Sequence, residues 1–281
     1  MPTKTKPVRD ANPTAAKTKT VGEARPAAAA KKKPASVRMS LADTMTVLEQ
    51  SGSAQTRKTY SRHGATEPMF GVSFATLKSL VKRIKVDHEL ALALWNTGNF
   101  DARNLALKVA DPAQMTPALL DSWANTNIAR MCHGYVAYLA AEGPHARSRA
   151  ETWLSADQEA MRCTGWCLVG AMAMLDETVP DEWFVDRLST IERTIHSVPN
   201  EEREAMNRAV ISVGCRSAAL RQAATAAAKR IGKVDIDHGD TSCKSPDAAD
   251  YIEKAWTHSL SKNFVTPAAH ERSREPMRTR C

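Results

Sequence analysis

The sequence predicts an all-α fold of stacked helical hairpins, and three observations carry that reading. From Met39 onward the apolar residues recur at helical spacing almost everywhere. Successive helix pairs return at roughly 30–45 residues, the period of helical-hairpin repeats. No stretch alternates over strand length, apart from a few residues at KVDIDHGD (233–240).

Each helix has local signals. Ser73 caps a run with Phe74, Leu77, Leu80, Val81 and Ile84 on one face. Asp87 opens the next run, through Leu90, Leu94 and Trp95, and Gly98 ends it in the left-handed conformation. A short helix over 100–110 is closed by DPAQ (111–114). Thr116 and Pro117 form a cap and first-turn pair for the run through Leu119, Leu120 and Trp123. A helix over 127–141 stops at EGP (142–144). Further helices are predicted at 145–155, 157–174, 181–196, 200–216, 218–230 and 246–261, the last with Ser245 as cap and Pro246 in its first turn. Residues 39–261 are therefore read as one HEAT-like α-helical repeat domain, a solenoid whose concave face suits a large ligand such as a duplex. Residues 262–281 are expected to be a disordered C-terminal tail.

The charge is unevenly placed. The chain has 281 residues and a formal net charge of +8. Residues 1–38 hold ten Lys or Arg against Asp10 and Glu23, which leaves 29 residues of each sign in 39–281. A Lys/Ala/Pro/Thr stretch with almost no large apolar residue cannot offset the entropy of ordering, so 1–38 reads as a disordered basic tail. Such a polycation either grips phosphate backbones without reading sequence or only solubilises the chain. The run AAAAKKKPA, with Lys31, Lys32 and Lys33, resembles the tails of nucleoid-associated proteins.

Hydrophobic residues make up 43% and charged residues 25%, the balance of a soluble globular protein. No apolar run approaches the roughly 18–20 residues that span a bilayer. There is no apolar N-terminal segment of the secretory kind. Six cysteines scattered through the chain, four of them in apolar runs, read as reduced, buried thiols. A cytoplasmic protein with no membrane partner is expected.

The candidate chemistry is sparse. Of six tryptophans, Trp123 and Trp166 stand within four residues of an arginine or a capping polar residue. An indole face attracts cations by roughly 0.5–2 kcal/mol, so these two are binding candidates as well as core candidates. Asn127 is a good N-cap ahead of Ile128, Met131, Val136 and Leu139, with Arg130 one turn on. Helix N-termini also gather phosphates, so the cap and a DNA contact are compatible readings. Arg162, in an otherwise apolar helix, either snorkels to solvent or points at an anion. Cys163 and Cys167 lie one turn apart, with no second pair to complete a metal site. Asp237, His238, Asp240 and Cys243 suit either a metal site or, better, a turn-rich connection whose side chains bond local backbone. There is no Gly-rich phosphate loop, no serine elbow and no paired-carboxylate signature, and neither cofactor nor metal is expected.

Three stretches carry a resemblance: YSRHGATEPMFGVSFATLKSLVKRI (60–84), LALALWNTGNFDARNLALKVAD (90–111) and LLDSWANTNIARMCHG (119–134). In that order, and with the similar segment 206–252, they resemble the DNA alkylation repair family of HEAT-like repeat glycosylases, the AlkD type. The resemblance covers about 45–255. It implies a C-shaped solenoid gripping double-stranded DNA as a monomer and releasing cationic N3- or N7-alkylated purines by stabilising the sugar's developing positive charge. It also implies site residues. Trp123 matches the family's tryptophan four positions before its aspartate, and Asn127 stands where that aspartate belongs. Arg162 falls at the family's paired arginines, although the second of them is Cys163 here. A later tryptophan is replaced near Ser212. The expected site is thus catalytic Trp123 and Asn127, with Arg130, Arg162, Trp166, Arg208 and the tail lysines on DNA. An amide offers a dipole, not a charge, to an oxocarbenium ion. An active or weakened glycosylase, a non-catalytic DNA-binding solenoid and a protein scaffold therefore all remain open.

Overall fold

The computed structural model describes residues 38–126 and 130–280, so the assignments to Lys31, Lys32, Lys33, Asn127 and the Arg130 side chain lie outside it. Fourteen α-helices follow in order: α1 (Leu41–Gln50), α2 (Ala54–Arg62), α3 (Phe74–Ile84), α4 (His88–Asn96), α5 (Phe100–Val109), α6 (Pro117–Ala124), α7 (Arg130–Ala141), α8 (Ala146–Leu154), α9 (Glu159–Leu175), α10 (Asp181–Thr194), α11 (Asn200–Gly214), α12 (Ala218–Ile231), α13 (Ala248–Ser261) and α14 (Pro267–Arg272). Among the described residues there is no strand, only an isolated antiparallel bridge between Gly52 and Val72. KVDIDHGD is irregular chain within the α12–α13 connection.

The capping signals work as expected. The side chains of Ser73, Asp87 and Thr116 accept from the backbone N–H three residues on, and Gly98 closes α4 at φ 72°. The start of α13 differs. Asp247, not Ser245, accepts from the Asp250 N–H, because the Pro246 carbonyl is held by Asn207 Nδ2 at 3.0 Å and 246 stays outside the helix. None of the helices is long and apolar enough to cross a membrane.

Packing arranges the helices in two layers. One runs α5, α7, α9, α11, α13, each against the next; the other holds α4, α6, α8 and α12 against their partners in the first. At the N-terminal end, the buried carboxylate of Asp101 on α5 accepts from three successive backbone N–H groups, of Phe70 (2.7 Å), Gly71 (3.0 Å) and Val72 (2.8 Å). Gly71 has φ 78°, and a Cβ there would lie 2.5 Å from the Ser53 carbonyl. Tyr60 Oη donates to the Val72 carbonyl at 2.6 Å. These bonds fix the α2–α3 loop to α5.

Two boundary expectations are corrected. Arg38, read as part of the basic tail, is hydrogen-bonded to Asp87 and to Glu89, and the compact unit begins there. The expected disordered tail over 262–281 is ordered through 280. Its sequence is polar, but its arginines satisfy buried backbone. Arg272 Nη1 donates to the Met174 carbonyl at 3.1 Å, and Arg278 Nη1 to those of Leu107 (3.2 Å) and Lys108 (2.7 Å). Arg278 Nε also pairs with Glu142 at 2.6 Å. In return Lys108, 1% exposed, donates to the Arg278 carbonyl at 2.9 Å and lies 3.6 Å over the Tyr135 ring. The segment is a strap across the C-terminal ends of α5, α7 and α9.

Removing one partner of a buried pair leaves an uncompensated charge, at a cost of about 3–5 kcal/mol. Arg278→Ala should therefore lower unfolding stability by about 3 kcal/mol, and a chain ending at residue 261 should lose more. Urea denaturation reads both; an unchanged midpoint in the truncated chain would show that the strap contributes nothing.

Candidate nucleic-acid interface

The site is built on α11. Asn200, at its start, exchanges two 2.8 Å bonds with the Asp237 backbone. One turn on, Arg203 Nη1 donates to the Asp235 carbonyl at 2.8 Å; another turn on, Asn207 holds Pro246. The α12–α13 connection, 232–247, is thereby laid along α11. Between it, α7 and α9 opens a cavity of about 660 Å³, lined among others by His133, Tyr138, Cys163, Cys167, Asn207, Arg208, His238 and Lys244, and by His63 from the end of α2.

Several groups of its wall are held uncharged, although the carboxylates of Glu201 and Glu204 also line it. Burial holds His133 neutral, its pKa lowered to about 4, and raises Tyr138 to about 12 and Cys167 to about 11. Burial likewise pushes the Cys163 thiol well up. Protonated thiols are neither nucleophiles nor metal ligands. Among the described residues no three His, Cys, Asp or Glu side chains are grouped as a metal ion requires. In the 232–247 connection, Asp237 Oδ1 accepts from the Gly239 N–H at 2.8 Å and His238 meets Ser245 Oγ at 3.0 Å, which is turn chemistry. The rim is charged: Lys244 is exposed, and the Arg208 side chain, 69% exposed, pairs with Glu204 at 2.7 Å.

The residues singled out from sequence are not brought together as one site. Trp123, 2% exposed, stacks on Trp95 with centroids 4.0 Å apart and planes at 7°. Both faces of that indole are inside the protein. Arg162 does find an anion, but an internal one. Its Nε pairs with the buried carboxylate of Glu202 at 2.9 Å, and its Nη1 donates to the Ala156 (3.0 Å) and Asp157 (2.7 Å) carbonyls. Trp166, also buried, donates from Nε1 to the same Glu202 at 3.4 Å. Among the described residues expected on DNA, Arg208 is the one that lines the cavity, beside Cys163, His238 and Cys243.

Residues 44–252 match the family described as DNA alkylation repair enzyme. The chain belongs to that family. It is similar to an uncharacterized protein of Listeria monocytogenes, 29% identical over 220 residues that cover 75% of this chain and 94% of that one. A protein of Listeria innocua, also uncharacterized, is related to the same degree. A solved structure superposes with a TM-score of 0.71 at 29% identity, covering 80% of this chain and 95% of that one. It belongs to a family of proteins related to the HEAT-like repeat DNA glycosylases with affinity for branched DNA structures.

For a DNA alkylation repair family member, one group of residues was overlooked in the sequence. Residues 51–86 hold Arg57, Lys58, Arg62, Lys78, Lys82, Arg83 and Lys85 against Glu67 alone. Because 39–281 balances overall, the average concealed a local excess of six; a sliding charge count would have found it. All but half-buried Lys78 are exposed, and none of the seven makes an ion pair among the described residues. Lys58 and Arg62, and likewise Lys78 and Lys82, repeat at i,i+4, a like-charge spacing that weakens a free helix.

Arg162 divides two roles cleanly. Arg162→Ala orphans buried Glu202 and two carbonyls, so it should cost stability at the lower end of about 3–5 kcal/mol. DNA affinity, measured well below the melting transition, should be unaffected. Unchanged stability with weakened binding would put Arg162 on phosphate instead.

Proposed function

We propose that this chain is a DNA-binding protein that engages branched or distorted DNA, as a monomer, through the α2–α3 surface and the α11 cleft. The observation that carries this is the set of seven cations on residues 51–86, none in an ion pair among the described residues, with His63 next to Arg62 at the cavity that Arg208 and Lys244 also line. Like charges at i,i+4 cost stability in the free protein and are relieved when phosphates neutralise them. The affinity of its structural relative for branched DNA supports the same reading. A basic surface on α2–α3 and a cleft that His63 also lines would suit two duplex arms meeting at a branch. The lysines of the N-terminal tail would add a grip that reads no sequence.

Fluorescence anisotropy against a four-way junction and a linear duplex of the same sequence tests this. The junction should bind at least tenfold tighter. Replacing Lys58, Arg62, Lys78 and Lys82 with Gln should reduce the slope of log K against log salt by up to about 3–4, at about 0.9 per phosphate. The fold should be unharmed or slightly stabilised. Equal affinity for both DNAs, or an unchanged slope, would sink the proposal.

A second reading, release of N3- or N7-alkylated purines, is favoured by the family match over 44–252. It asks more of the site. Asn127 carries no charge, and Trp123 is sealed against Trp95. If the missing carboxylate is what limits catalysis, Asn127→Asp should raise 7-methylguanine release, tenfold for each roughly 1.4 kcal/mol gained in the transition state. Aspartate caps a helix about as well as asparagine, so folding is preserved. An aspartate variant as inert as Asn127→Ala would remove the glycosylase reading.

A further inference from the structure

We infer that the cavity between α7, α9, α11 and the 232–247 connection receives one unpaired nucleotide, its base inside and its phosphate at the Arg208–Lys244 rim. The inference rests on the DNA-binding reading for its biological setting, although the cavity chemistry stands apart from it. At about 660 Å³ the space lies within the roughly 300–1,000 Å³ of small-molecule sites and has room for a base and its sugar.

Hydrogen positions decide which base it favours. Thr164 Oγ1 gives its single proton to the Ala160 carbonyl at 2.8 Å. It must therefore accept at the 2.9 Å contact with His133 Nδ1. Neutral His133 thus carries its proton on Nδ1, and Nε2 is left as an acceptor. Asn207 donates its amide to Pro246, so its Oδ1 is a second acceptor. Acceptors call for donors, and the exocyclic amino groups of cytosine, adenine and guanine each supply two N–H donors, whereas an unpaired thymine offers only its ring N3–H. Tyr138 and Tyr251 add aromatic surface, on which a base stacks for roughly 1–3 kcal/mol. The uncharged His133, Tyr138, Cys163 and Cys167 suit an uncharged base. Glu201 and Glu204 also line the cavity, and Arg208 pairs with Glu204, which reduces its repulsion of a phosphate and leaves Lys244 to balance the charge of Glu201.

The setting also fits. Taking a base out of the stack costs least where it has already lost a stacking partner, and a branch point is such a place. The binding mode differs from a groove that reads only backbone, because it gives the protein a contact that a continuous duplex does not offer.

Two measurements on the full chain test the cavity. In the first, Cys243, exposed at the cavity wall, is alkylated with N-ethylmaleimide and followed by peptide mass spectrometry. Millimolar deoxycytidine monophosphate should slow the reaction several-fold, thymidine monophosphate less, and inorganic phosphate hardly at all. Equal protection by phosphate, or none by any nucleotide, would overturn the inference. In the second, a junction carries 2-aminopurine at the branch or within an arm. Binding should raise the emission several-fold at the branch only, and Cys243→Trp, which fills the cavity from an exposed position, should abolish the rise. A branch signal that survives Cys243→Trp overturns the inference as well. Nucleotide protection without junction preference would leave the cavity assignment standing and remove the branched-DNA reading; junction binding without protection or branch signal would do the reverse.

Discussion

The architecture depends on burying α9 on nearly every side. Its segment CTGWCLVGAMA (163–173) is apolar around most of the helix, and α7, α8, α11 and α14 pack against it. Two glycines permit the approach. A Cβ at Gly165 would lie 3.1 Å from the Leu154 backbone, and one at Gly170 would lie 3.2 Å from Ser212 Oγ. A helix buried this deeply cannot give its end groups to water, and each end leaves four backbone groups without helical partners. Arginines from elsewhere answer that need. Arg216 reaches the Asp176 carbonyl at 2.5 Å and the Val179 carbonyl at 2.6 Å just beyond the helix, Arg272 takes Met174, and Arg162 ties the opposite end to α11 through Glu202.

This requirement splits the cations into two populations with different physics. Arg162, Arg203, Arg216, Arg272 and Arg278 are engaged with carbonyls and carboxylates inside the protein. Turning one of them toward a phosphate would strand its partner in a poorly solvated place. Among the described residues the cations of α2 and α3 form no ion pair, so an added anion breaks none. The outer set is therefore the one free to take a phosphate, as we propose, although the inner set contains the arginine that family resemblance points to.

The same division shapes the cavity. Burial keeps His133 and Tyr138 in its wall uncharged, while Arg208 and Lys244 line it together with the carboxylates of Glu201 and Glu204. The 232–247 connection completes that pocket only because three side chains of α11 hold its backbone in place.

The sequence by itself determined the helices and most of their ends. Caps at Ser73, Asp87 and Thr116 and the turn at Gly98 involve atoms within four residues, so local pattern is enough to place them. The family was legible too, since the order of motifs survives along the chain. What each polar side chain does was decided only by tertiary structure. Arg162 meets Glu202 across 40 positions, Lys108 meets Arg278 across 170, and Trp123 loses its faces to Trp95 in a separate helix. The strap looked disordered because its composition is polar; it is ordered because the carbonyls it satisfies belong to distant helices. Local spacing sets backbone conformation, whereas the partner of a long charged side chain depends on which helices the core brings together.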